Sequence, residues 1–267
     1  MNKYRKFMVG CAALGALVTA SAAADDIPDL AGVIKSREDA LVTVQYLLAI
    51  NLGARSGNVE LENESEQTCV MAAPGGLVLC SYNQLNGFID IISRIAGPAA
   101  GGMSATPKDF KVLVSANAEP LDAEIVARDS ELDIAWIQIK DNGGRSFPYV
   151  DFSSGARAEI GDTAVVIRRS GNHFGRSSIA SRVLIGGIAS KPRTLYIPGG
   201  QIVNSAGLPV FSSSGDPIGL IVTQVPESTG GMGSPLGLMG SGMANLQDSM
   251  SGLILPAADV ALATRRA

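Results

Sequence analysis

The chain lacks most of the residues that metal, stacking or polyanion chemistry needs. It has one histidine, His173, and three cysteines in 267 residues, too few imidazoles and thiolates for a Cys/His zinc site. Aromatic residues make up 5%, which leaves no stacking platform for bases. Basic side chains do not outnumber acidic ones: 21 Lys and Arg stand against 25 Asp and Glu, a formal charge of −4. A nucleic-acid partner is not expected, because phosphate recognition demands a clustered basic footprint. The pairs Gly75-Gly76 and Gly143-Gly144 have no following Lys and Ser/Thr, so they read as turns and not as phosphate cradles. No cofactor and no metal is implied.

The amino terminus reads as an export signal over residues 1–24. Lys3, Arg5 and Lys6 precede the apolar run Phe7–Val18, and Ala20-Ser21-Ala22-Ala23-Ala24 offers small-residue cleavage sites. The run is well short of the roughly 20 apolar residues needed to cross a bilayer, so no membrane span is expected in the mature chain. Cleavage removes three positive charges and no negative one, leaving a more acidic product in the periplasm or outside the cell. Cys11 departs with the signal, and Cys69 and Cys80 remain as an even pair in an exported protein. They flank Ala73-Pro74-Gly75-Gly76, which reads as a two-residue hairpin turn. If Ala73 faces Gly76, Cys69 faces Cys80, so a disulfide is open to them; the alternative is two buried free thiols.

The rest alternates short β-type runs with glycine, proline and serine turns. Strands are expected at 40–48, 68–72, 77–81, 110–115, 121–128 and 133–140. After a turn-rich joint at 141–146 they resume at 163–168, 179–190, 194–197, 209–212, 218–225 and 252–256. A short helix with a loop is expected within 84–96, and a terminal helix at 257–263. Such spacing points to an all-β chain of antiparallel barrels or a sandwich. The chain divides into an N-terminal segment at 25–39, a first unit at 40–140, a linker at 141–156 and a second unit at 157–267. The segment 227–248, rich in glycine and methionine, reads either as a surface loop or as an adaptable apolar contact surface.

Four stretches in this order resemble the trypsin-like double-barrel serine proteases, especially the bacterial HtrA/Deg branch. Gly76-Leu77-Val78-Leu79-Cys80-Ser81-Tyr82-Asn83 is similar to the strand that delivers the family's catalytic histidine. Ala123–Ala135 resembles the stretch whose second aspartate, here Asp133, is the triad acid. Glu159-Ile160-Gly161-Asp162-Thr163-Ala164-Val165 looks like the opening of the second barrel. Pro209–Leu220 is similar to the strands that follow the nucleophile loop. The resemblance implies two antiparallel six-stranded β-barrels with a cleft between them and a short C-terminal helix.

A triad needs an attacking hydroxyl, an imidazole to take its proton and a carboxylate to orient that imidazole. Of the family's three positions only the carboxylate matches, at Asp133; the histidine position is Asn83. Counting back from Pro209, the family's G-N-S-G-G-P falls on Asn204-Ser205-Ala206-Gly207-Leu208-Pro209, so the nucleophile position is Ala206. A rival register keeps Ser205 as nucleophile but supplies no base, and His173 lies in a turn that does not carry the triad base. Asn204 and Leu208 stand where the family has glycines, and Leu208 is expected to intrude where substrate backbone approaches. Asp133 is expected to accept a hydrogen bond from the Asn83 side-chain amide. Glu131, Asp129 and Asp162 read as turn and surface groups. The sequence thus implies a proteolytically inactive binding or regulatory module. Its peptide or protein ligand would sit in the cleft, at 204–208, or at 227–248. An active serine endopeptidase with Ser205 and an unorthodox base, and a structural envelope component, stay open.

Overall fold

The structure is a computed structural model that describes residues 30–54, 57, 59–96, 102–116, 118–200, 202, 205–224 and 251–267. The export-like segment, Asn204 and the stretch 227–248 lie outside these residues.

Twelve strands close into two antiparallel barrels of six. In the first, β1 (Leu41–Asn51), β2 (Glu60–Ala73), β3 (Leu77–Ser81), β4 (Ser104–Leu113), β5 (Leu121–Asp129) and β6 (Ile134–Ile139) follow one another in the order β1-β2-β3-β6-β5-β4. In the second, β7 (Thr163–Arg169), β8 (Ser178–Ala189), β9 (Leu195–Pro198), β10 (Pro209–Phe211), β11 (Pro217–Gln224) and β12 (Ser251–Pro256) run β10-β11-β12-β9-β8-β7. Closure removes the unpaired edges at which sheets aggregate.

Side chains alternate across a strand, and here both faces of the strands nearest the other barrel are covered. Val42, Val44, Cys69, Met71, Val78, Cys80 and Ile137 fill the inside of barrel one. Their neighbours Leu41, Val70, Leu79, Ile134 and Trp136 point the other way and meet Val165, Ile167, Phe211, Leu220 and Val222 of barrel two. Ala164, Val166, Val210, Ile221 and Ile254 fill the second interior. This explains why these strands read as unbroken apolar runs and not as alternating ones.

The helices differ from expectation at two places, and the C-terminal helix lies where expected. The 84–96 stretch holds two helices, α2 (Tyr82–Leu85) and α3 (Ile89–Ala96), broken where Gly87 and Phe88 take φ of 61° and 60°. A helix missed in the sequence, α1 (Leu30–Arg37), packs Val33 against the inter-barrel core. The C-terminal helix α4 (Ala257–Thr264) spans the joint: Val260 and Ala261 enter that core, and Thr264 Oγ1 accepts a 3.1 Å hydrogen bond from Trp136 Nε1. The linker is packed against barrel one, with Phe147 N–H donating to Pro74 C=O at 3.0 Å and Val150 N–H to Met71 C=O at 2.9 Å.

In the β2–β3 hairpin, Val70 pairs with Leu79 and Met71 with Val78, with an irregularity next to the turn. That register sets Cys69 against Cys80, and a disulfide joins them at a Cα–Cα distance of 4.9 Å. Both cysteines are fully buried, and the bond ties β2 to β3 beside the strand end that carries Ser81 and Asn83. Replacing both by alanine is expected to lower unfolding free energy by about 2–3 kcal/mol, the loop-closure value for so short a ring, as read from urea midpoints under oxidising conditions.

Candidate functional site

The candidate site forms where the end of β3, the turn before β6, the turn before β10 and strand β11 meet. Asp133 holds it together. It is fully buried and takes a left-handed φ of 58°, a conformation that costs a non-glycine residue roughly 1 kcal/mol or more. Its carboxylate accepts from the Ser81 hydroxyl at 2.9 and 3.0 Å, the Asn83 backbone N–H at 2.8 Å and the Thr223 backbone N–H at 2.7 Å. The first two donors come from barrel one and the third from barrel two. Its C=O also accepts from Tyr82 N–H at 3.3 Å.

Local sequence explains how the donors reach it. Ser81 ends β3 in extended backbone and caps α2: its hydroxyl accepts from Gln84 N–H while donating to Asp133. Asn83 sits in the first turn of α2, where a backbone N–H has no intrahelical acceptor, so it is free to donate to the carboxylate. Asp133 is thus satisfied by the Asn83 main chain, which corrects the expectation that the Asn83 amide side chain would take over the imidazole's role. No residue signal marks Thr223, because its contribution is a backbone N–H. Ser81 follows an apolar run and was passed over for its neighbour Asn83.

The turn 205–208 docks from the second barrel. Gly207, at φ 83°, donates its N–H to Ile221 C=O at 2.7 Å, and Leu208 N–H donates to Ser205 C=O at 3.1 Å. Gly207 lies so close to barrel one that a Cβ there would fall 2.5 Å from Ser81 N and 3.0 Å from Gln67 Nε2. Gln67 is itself buried, with neither amide atom hydrogen-bonded. Ala206 and Leu208 are buried in the interior of barrel two. Leu208 therefore does not intrude on a substrate path. Its position after a glycine that absorbs the positive φ turns its side chain inward, into the barrel. Ser205 is half-buried, and His173 is exposed in the turn between β7 and β8.

Other carboxylates have turn duties. Asp129 accepts from Glu131 N–H and Leu132 N–H at 2.9 Å, Asp162 accepts from Glu159 N–H at 2.7 Å, and Glu131 is largely exposed beside Arg193. No group of three or more His, Cys, Asp or Glu able to hold a metal occurs among the described residues. None of their helices is long and apolar enough to cross a membrane.

Two closed six-stranded barrels, meeting at a buried aspartate and a glycine turn, can be compared with known proteins. No family model matches the sequence. The probable periplasmic serine endoprotease DegP-like of Rhizobium meliloti (strain 1021) is 29% identical over 147 residues, 53% of this chain and 28% of that relative. The matched stretch thus spans under a third of the relative's length. The solved HtrA-type protease AlgW, a variant with alanine in place of a serine and a decapeptide present, superposes with a TM-score of 0.54. It is 15% identical, and the match covers 88% of this chain and 65% of that one. The apo MamO protease domain of Magnetospirillum magneticum gives 0.48 at 13% identity, covering 84% and 95%. The chain has the trypsin-like double-barrel fold of serine proteases.

Burial raises the Asp133 carboxyl from an ordinary 3.8 to about 6, and the N–H groups of Asn83 and Thr223 and the Ser81 hydroxyl pull it part of the way back. A carboxyl raised on folding binds its proton more readily in the native state. Its contribution is therefore fully present below about pH 4 and is lost as pH rises through about 6. The stability of wild type relative to Asp133→Asn is expected to increase by about 2 kcal/mol from pH 7 to pH 4, measured by urea unfolding at each pH. Gly207→Ala places a methyl against Ser81 N and is expected to cost about 2–4 kcal/mol in the same assay.

Proposed function

We propose that this chain is an exported, proteolytically inactive HtrA-type protein that binds peptide or unfolded protein at the inter-barrel cleft. One observation carries the reading: Asp133 is saturated by Ser81, Asn83 N–H and Thr223 N–H; the motif resemblance, which puts an amide residue and an alanine at the positions of base and nucleophile, supports it. Loss of either catalytic group from a comparable triad lowers turnover by on the order of 10⁶, so binding is what such a site retains. The decapeptide held by the AlgW variant, which has alanine for a serine, supports peptide binding by this scaffold without a complete set of side chains.

Export to the periplasm or beyond is supported by the amino-terminal pattern, by the periplasmic relative and by the Cys69–Cys80 disulfide, which persists in oxidising compartments. The stretch 227–248 belongs to the proposed contact surface through its methionines.

A serine-directed fluorophosphonate is expected to leave the purified protein unlabelled, with no casein cleavage, while reduced, unfolded casein co-elutes with it on size exclusion. Labelling that disappears in Ser205→Ala would instead make the chain an active endopeptidase. Absence of both labelling and co-elution would leave neither activity nor binding and would end the proposal.

A further inference from the structure

Strand β2 has one paired edge and one open one. Along the first it pairs with β1, without a register shift, from Glu60 opposite Asn51 to Val70 opposite Leu41. Along the other, β3 joins only from Val70 onward, so among the described residues no strand lies beside 60–66. The direction of the main-chain groups follows from one bond. Leu52 N–H donates to Val59 C=O at 3.0 Å, which makes these two a hydrogen-bonded pair in the same register as the β1–β2 ladder. Such pairs alternate with pairs whose N–H and C=O groups point away from each other. Val59, Leu61, Asn63 and Ser65 therefore bond to β1, and Glu60, Glu62, Glu64 and Glu66 turn their N–H and C=O groups to the open side.

The side chains follow the same alternation. The four glutamates share one face, and Val59 and Leu61 share the other, each 45% exposed. Lys108 pairs with Glu62 and Arg176 with Glu66, while Glu60 and Glu64 have no ion pair among the described residues. Residues 60–64 are exposed throughout. Proteins blunt a free edge with bulges, prolines, short strands or charge. Here the stretch 60–66 has no bulge and no proline, and two aliphatic side chains stay in solvent beside it. The charge that remains selects the partner. In an antiparallel pair, residues that offer their main-chain groups face one another, so β2 against a second β2 would set glutamate opposite glutamate, which is destabilising. The glutamates thus keep copies of this chain apart and leave the edge open to a strand of opposite charge.

We infer that the open edge of β2 is a docking site for an extended segment of another protein, added antiparallel as a further strand. The segment carries two basic side chains, opposite Glu60 and Glu64, and an aliphatic one opposite Leu61. The main-chain groups of Glu60, Glu62 and Glu64 hold its backbone. Its side chains make the cross-strand pairings that stabilise a sheet, base on acid on one face and aliphatic on Leu61 on the other. The residue facing Glu62 is neutral, because Lys108 already takes that carboxylate. These residues lie outside the Asp133 site, and the inference stands whether or not the cleft binds peptide.

The probe is the heptapeptide Thr-Lys-Thr-Thr-Val-Lys-Val, acetylated and amidated, which in antiparallel pairing sets its lysines opposite Glu64 and Glu60 and its first valine opposite Leu61. Titrated into the full mature chain and followed by two-dimensional amide NMR, it is expected to give saturable shifts at 59–66, half complete at about 1 mM. Hydrogen exchange is expected to slow at Glu60, Glu62 and Glu64 and to stay as it was at Leu61 and Asn63, whose N–H groups already bond to β1. Methylating the backbone nitrogens of both lysines, which face β2, is expected to weaken binding about tenfold or more; methylating those of the valines, which face away, about threefold at most. A peptide with glutamate for both lysines is expected not to bind. Glu60→Gln and Glu64→Gln are each expected to weaken binding about threefold, the value of one exposed charge pair, and both side chains are exposed, so the fold is not at stake. The inference is overturned by any of four results: no saturable shift at about 10 mM, equal binding of the peptide methylated at its lysines, equal binding of the glutamate peptide, or unchanged binding in both variants. Shifts confined to Ser81, Asn83 and 205–208 would place the peptide in the cleft and overturn it as well.

Discussion

The Asp133 carboxylate is the interaction on which the rest depends. It is a charge-bearing group in the apolar joint between two barrels, where an unpaired carboxylate is costly. It is tolerated because three donors converge on it, and because two of those belong to one barrel and the third to the other. Its left-handed backbone, the cap on α2 and the approach of β11 all follow from meeting that demand. In an active protease an imidazole would be among the groups oriented by such a carboxylate. Here the Ser81 hydroxyl and the backbone N–H groups of Asn83 and Thr223 satisfy it.

The joint around this carboxylate has a packing basis of its own. The inter-barrel core is built from the second faces of strands already folded into barrels, and α1 and α4 cover its margins. None of this requires a hydroxyl at position 206 or a ring at position 83. The glycine turn has its own constraint: at Gly207 the chain passes too near Ser81 N for any side chain.

Strained backbone separates the molecule's two polar centres. Phe88 and Asp133 hold the cleft side, Asp109 and Arg176 a cavity on the outer face of barrel one. Arg176 also joins the barrels, pairing with Glu66 while Arg169 donates to the carbonyls of Leu41 and Glu38 at 3.0 and 2.9 Å. The two centres therefore share one framework of inter-barrel contacts, though each has its own side chains.

The sequence by itself determined the all-β class and the approximate place of most strands, because turn residues and apolar runs are local properties of the chain, and its motifs in order pointed to the double barrel. Strands β2 and β4 start earlier than their apolar runs because their first halves are polar strand, exposed or half-buried. It left the Cys69–Cys80 bond open: Ala73 pairs with Leu77 and not with Gly76, and only a register shift next to the turn brings the two cysteines opposite each other. Tertiary structure alone decided where Leu208 points and which atoms satisfy Asp133. The first depends on the φ of Gly207, and the second on backbone N–H groups that every residue but proline carries, so no letter in the sequence announces them. Helix α1 was invisible for a similar reason: its one buried residue, Val33, becomes meaningful only against a core assembled from strands far along the chain.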